Sequence, residues 1–173
     1  MGTIRRALDA LYFGCGVVAA GFLLLMLGII VAQMVARWTG LLFPGAASHA
    51  GYSMAAASFF AFAHALNRGA HIRVGILLSA VGPAARRWVE IWCFAIGAAA
   101  AWFLARYAIN LVAWSWKLGD VSQGQDATPL WIPQSAMAIG SVVFAIALTD
   151  HLIQLLVTGR HGIEAETAGT GDR

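Results

Sequence analysis

Four long apolar runs set the terms on which this chain can fold. Approximately residues 11–36, 46–66, 89–113 and 132–157 are predominantly hydrophobic. Each matches the roughly 20 helical residues needed to cross a hydrocarbon core of about 30 Å at 1.5 Å per residue. A backbone in lipid must satisfy its own N–H and C=O groups, and a helix does so within one segment. The charge supply points the same way. Of 173 residues, 60% are hydrophobic and 11% charged, against about 25% charged in an ordinary soluble domain, too few to cover a water-facing exterior. The sequence predicts an all-α integral membrane protein with four transmembrane helices in one domain over residues 1–162.

Arg5 and Arg6 precede the first run as they would in a signal peptide. That run is longer than a signal's apolar region and lacks a small-residue cleavage site, which predicts an uncleaved anchor. Orientation follows from the eleven basic residues. With both termini cytoplasmic, Arg5, Arg6, Arg68, Arg73, Arg86, Arg87, Arg160 and Arg173 fall inside, Arg37 and Lys117 fall outside, and Arg106 lies within the third run. The positive-inside rule then predicts N-in/C-in topology. Trp38, Trp114, Trp116 and Trp131 mark the outer interface, and Trp88 and Trp92 the inner one.

Between the second and third runs, residues 72–81 are apolar but too short to span, and Gly82-Pro83 follows. This predicts a short interfacial helix. Residues 163–173 are small and polar, a composition that predicts a disordered cytoplasmic tail.

Cys15 and Cys93 both lie in apolar runs, without disulfide or CxxC spacing, and read as small buried hydrophobes. Small residues recur at i+4 in the second run (Ser53, Ala57, Ala61, Ala65) and in the third (Cys93, Gly97, Ala101, Ala105). Such rows let helix backbones approach closely in lipid. They suit packing within the bundle, or a seam for another subunit.

Ionisable groups at membrane depth are functional candidates because their burial is expensive. Arg106 and Asp150 qualify, at levels too different for a direct pair. The plain reading has Arg106 snorkelling outward and Asp150 meeting Arg86 or Arg87; the alternatives are subunit contacts or an ion site. His64 and His151 both fall near the inner leaflet, and paired histidines on different helices can ligate haem. A haem-binding membrane anchor subunit of a respiratory complex is therefore the alternative reading. A small self-sufficient exporter is a weaker third, because the first run carries no acid. No Ser-His-Asp, Cys-His or paired-carboxylate spacing points to an enzyme.

The four runs, the segment GAHIRVGILL after the second and TPLWIPQSAMAIGSVVFAI opening the fourth together resemble the small membrane subunit of tripartite ATP-independent periplasmic (TRAP) transporters, over about residues 8–158. His71, Ile72, Arg73 and Val74 match a basic loop motif, although Gly75 stands where the family usually has an acid. Pro129, Trp131, Pro133 and Gly140 match its proline, aromatic and glycine pattern, while Arg106 and Trp114 match an Arg and Trp late in the third span.

The resemblance implies a scaffold subunit in a bacterial or archaeal cytoplasmic (inner) membrane, with no cofactor of its own. It would dock on the stator of a large membrane subunit, where sodium is expected to bind, and support sodium-coupled, binding-protein-dependent uptake of an organic anion. Candidate partner contacts are Arg68, His71, Arg73, Arg106, Asp120, Asp126, Trp131, Pro133, Gly140 and Asp150. The outer connection holding Lys117, Asp120, Gln123, Gln125 and Asp126 reads either as a solvated turn or as a surface whose acids meet the periplasmic binding protein.

Overall fold

A computed structural model of the chain describes residues 2–67, 83–124 and 126–158. The expected interfacial helix, the candidates Arg68, His71 and Arg73, and the tail lie outside the described residues. Four helices account for nearly all the rest: α1 (Gly2–Trp38), α2 (Ala46–Asn67), α3 (Pro83–Leu118) and α4 (Trp131–Thr158). Each apolar run is thus helical, and two helices, α1 and α3, extend well beyond the run that predicts them. At 1.5 Å per residue α1 and α3 are about 55 Å long, longer than a bilayer with its headgroups. Arg, Trp and Ala residues at the flanks continue a helix well, so helix ends are not set by where hydrophobicity stops. Pro83 opens α3, where its missing N–H costs nothing.

Among the described residues, three helices are long and apolar enough to cross a membrane: α1 from Arg5, α3 from Arg87, and α4 as far as Val157. α2 is the exception. Its 22 residues reach about 33 Å, but they are dominated by Ala, with Ser and His among them. Its position explains that composition. The helices pack as a row, α1 on α2, α2 on α4 and α4 on α3, so α2 lies between two neighbours and needs small side chains more than large ones.

The seams follow alternating steps of three and four. On α1 the covered positions include Leu8, Tyr12, Cys15, Ala19, Phe22, Met26 and Ile29; on α3 they include Phe94, Ala98, Ala101, Ala105, Ala108, Val112 and Ser115. This is the spacing that keeps one stripe facing a partner. Of the i+4 row expected on α3, Gly97, Ala101 and Ala105 are covered, Gly97 next to Leu148, and Cys93 is not. Steps of four drift about 40° each around a helix of 3.6 residues per turn, and Cys93, three steps from Ala105, is exposed rather than buried. Cys15 is buried, as read from the sequence.

Aromatic and glycine contacts fix the row. Phe22 stacks on Phe60 between α1 and α2, and Phe62 meets Phe144 between α2 and α4. Gly140 of α4 lies so close to α2 that a Cβ there would stand 2.8 Å from the Phe59 carbonyl carbon. Between α3 and α4, Trp102 Nε1–H donates to Thr149 Oγ1 at 3.1 Å. Large hydrophobics are exposed along the outer faces of α1 and α3, among them Leu24, Leu27, Phe103 and Trp114. In water that surface would be prohibitive; facing acyl chains or another membrane protein, it is not.

Candidate functional site

The connection from α3 to α4 is folded, not an open turn. α3 ends at Leu118, and Gly119, at a φ of +65°, reverses the chain. The Asp120 N–H then reaches back to the Ser115 carbonyl at 3.1 Å, closing the helix end as a left-handed glycine normally does. The two arms of the connection meet at a few backbone hydrogen bonds. Ser122 N–H donates to the Thr128 carbonyl at 2.7 Å and Leu130 N–H to the Asp120 carbonyl at 3.0 Å, around an isolated antiparallel bridge between Val121 and Pro129. At its base Trp116 and Trp131 meet edge to face, 4.7 Å between centroids.

This small hairpin is clipped onto the start of α2. Tyr52 O–H donates to Ser122 Oγ at 2.8 Å, and the same oxygen accepts the Gly124 N–H at 3.1 Å. Thr128 Oγ1–H donates to Asp126 Oδ2. His49 Nδ1–H donates to the Gly45 carbonyl at 2.9 Å and stands 3.6 Å from Asp126 Oδ2. The Asp126 side chain is 9% exposed while His49 is 48% exposed, so the acid is turned inward and the imidazole covers it. Backbone must yield for this. A Cβ on Gly45 would stand 2.6 Å from the Asp126 Cβ, and one on Gly124 would stand 2.6 Å from Asp126 Oδ1 and 2.9 Å from Ser48 Oγ. Asp126 also approaches the N-terminus of α2, where unsatisfied N–H groups favour a negative charge.

The hydrogen bond from Thr128 holds the Asp126 carboxyl below the usual carboxylate range. Partial desolvation opposes it, and the neighbouring His49 adds to the lowering. A carboxyl whose value is depressed when docked stabilises docking above its free value of about 3.9, and that stabilisation disappears as pH falls through the depressed value. In a His49→Gln background, docking should be flat from neutrality to about pH 5 and weaken below about pH 4. Fluorescence of the Trp116–Trp131 pair reports it. Adding Asp126→Asn should abolish the acid transition; if the transition persists, another group governs it.

The remaining candidates fall in different places. Asp120 is exposed on the hairpin, unlike Asp126. Trp131 and Pro133 form the first turn of α4, where proline lacks only an N–H that a helix would leave free. Gly140 is at the α2–α4 crossing. Arg106 is exposed on α3. The side chain of Arg86, one expected partner of Asp150, lies outside the described residues; Asp150 Oδ2 accepts Gln154 Nε2–H at 2.8 Å, one turn along its own helix, and Arg87, the other, donates from Nη2 to the Leu156 carbonyl at 3.4 Å. An arginine at the helix end reaches the last carbonyls more easily than a carboxylate two turns away.

The two histidines weighed for haem serve different seams. His64 of α2 faces α1, with Nδ1 3.3 Å from the Tyr12 carbonyl and its ring filling the space beside Gly16. His151 of α4 is buried against Phe94 of α3. Among the described residues, no group of three His, Cys, Asp or Glu gathers as a metal site. Sequence reasoning missed the contributions of His49, Tyr52, Ser122 and Thr128. The available signal was Pro44-Gly45 before α2 together with Gly119 and Gly124 in the connection, two turn-forming clusters that the fold brings together.

Long apolar helices in a row, with a folded polar hairpin at one end, define a membrane-embedded helical subunit rather than a soluble domain. A family model described as "Tripartite ATP-independent periplasmic transporters, DctQ component" matches residues 26–158. That is most of the chain, which therefore belongs to this family of small TRAP transporter membrane subunits. It is a family of transporter components, not of enzymes. No match was found among curated proteins or among solved structures.

Proposed function

We propose that this chain is the static membrane scaffold of a TRAP transporter, docked on the stator of the large membrane subunit and supporting sodium-coupled, binding-protein-dependent uptake of an organic anion. The observation that carries the reading is the row itself. Helices side by side present broad apolar flanks on α1 and α3, which widen a stator in the plane of the bilayer. α2 crosses as the fourth span. Its 22 residues match the hydrocarbon thickness, and its neighbours on both sides relieve it of facing lipid all round. Both termini are then cytoplasmic, in agreement with the distribution of arginines, and the hairpin at 119–130 is periplasmic.

In this arrangement Asp120 is an exposed acid available to the binding protein, whereas Asp126 serves the internal clip. Sodium and substrate belong to the large subunit. Liposomes containing this chain alone should show no saturable organic-anion uptake under an inward sodium gradient. Adding the large subunit and binding protein should restore it. Saturable uptake by the chain alone would refute the scaffold reading.

A further inference from the structure

Arg106 is a full charge in the middle of a membrane-crossing helix, exposed, with no hydrogen bond or ion pair among the described residues. The α3 seam toward α4 runs through Ala101, Ala105 and Ala108. Arg106 lies on another face, in a file with Phe103, Asn110 and Lys117, all exposed. Lys117 has its own place, 5.6 Å over the Trp114 ring at the interface. Arg106 is ten residues deeper than Trp116, about 15 Å along the axis. Helical Cα–Cβ bonds tilt toward the N-terminus, so its side chain starts out pointing further from that interface. Snorkelling outward works against the backbone. Asn110, one turn nearer the outside, adds a second exposed polar side chain to the file.

Depth also decides what could meet the guanidinium. Phospholipid phosphates sit at headgroup level, beyond the tryptophans. Among the described residues, a second copy in the same orientation offers no acid at this level. Taking the Trp116–Trp131 contact as a common reference, Asp150 is about 28 Å below it and Glu90 about 39 Å, while Asp120 and Asp126 are above it. Asp9 is near the opposite end of α1 from Trp38. What fits is a foreign helix carrying a carboxylate at mid-membrane, which an arginine can grip through two parallel N–H···O bonds.

Resting on the scaffold reading above, we propose that the α3 face bearing Arg106 and Asn110 is where the large membrane subunit docks, through a helix whose Asp or Glu pairs with Arg106 inside the bilayer. The test is co-expression of the tagged chain with the large subunit, followed by detergent extraction and measurement of large subunit recovered per tagged chain. Arg106→Leu should lower that ratio at least tenfold, and Arg106→Lys should retain a substantial part of it. Membrane levels and helical content of the tagged chain should hold, since removing a charge from a span eases insertion. Second-site changes in the large subunit that restore Arg106→Leu assembly should neutralise one intramembrane acid. A photo-crosslinker at position 110 should capture the large subunit.

A wild-type ratio for Arg106→Leu overturns the proposal. So does crosslinking to a second copy of this chain, or loss of a bound phospholipid with the ratio intact. If the wild-type chain recovers no large subunit, the scaffold reading falls and takes the proposal with it. If wild type recovers it and Arg106→Leu does so equally, only the proposal fails.

Discussion

Replacing Gly140 with leucine is expected to be the most damaging single change within the bundle. The position is buried on α4 where it crosses α2, and an added Cβ would stand 2.8 Å from both the carbonyl carbon and the Cβ of Phe59, and 3.0 Å from the Phe59 oxygen. Two of those atoms are backbone, so no rotamer change can make room. Even Gly140→Ala must push the helices apart, with a cost of about 1–3 kcal/mol typical of overpacking. Leucine adds three further carbons and should exceed that range. The loss spreads, because separation of α2 and α4 also loosens the Phe62–Phe144 contact, 5.5 Å between centroids. In lipid, packing carries helix association. Thermal unfolding of the purified chain in detergent should fall in the order Gly51→Ala, Gly140→Ala, Gly140→Leu. Gly51 is the control: a Cβ there meets nothing within 4 Å, so alanine should be neutral or stabilising by about 0.5–1 kcal/mol. Wild-type thermal stability in Gly140→Leu would mean that the two helices do not cross at this residue.

Gly140 shows what a sequence of this kind discloses. A glycine in an apolar helical run announces close approach, but not which helix approaches. The four runs specified four helices because only a hydrogen-bonded helix can place so much apolar chain in lipid. Their order in the row was not legible. Nothing in the periodicity of α2 states that it is flanked by α1 and α4, although its high Ala content is the consequence. The α3 seam was half legible: small residues were in view, yet the strict i+4 row drifted off the contact and ended on exposed Cys93.

Polar groups were harder still. Asp150 accepts from Gln154 four residues on, an option open to any helix with that spacing and one that a search by charge alone passes over. In the outer connection, Asp120 and Asp126 are indistinguishable as letters. They separate only because the hairpin folds back on α2, which places one acid under His49 and leaves the other in solvent. A contact between residues some 80 positions apart, formed by two glycine-containing turns, has no local signature.

Gly45→Ala should release that hairpin while leaving the bundle standing. Two penalties coincide at this residue. Its φ of +79° costs a residue with a side chain about 1–2 kcal/mol. The new Cβ would also stand 2.6 Å from the Asp126 Cβ, adding an overpacking term of about 1–3 kcal/mol. Asp126 belongs to a connection rather than to a helix, so the cheaper response is for it to leave than for α2 to move. The damage is therefore local opening and not global unfolding. Amide exchange at Ser122 and Leu130, whose N–H groups close the hairpin, should accelerate at least tenfold, and proteolytic cleavage between residues 119 and 130 should rise with it. The unfolding temperature of the helices should stay near that of wild type. Gly45→Asn separates the causes, since asparagine tolerates a left-handed backbone but still carries a Cβ; exchange as fast as in the alanine variant assigns the effect to collision. A double-mutant cycle completes the argument. If Gly45→Ala acts by evicting Asp126, then Asp126→Ala in the same chain should add little to an exchange rate already raised. Full additivity of the two changes would show that Gly45 and Asp126 do not act on one contact, and the clip between the hairpin and α2 would have to be sought in Tyr52 and Ser122 alone.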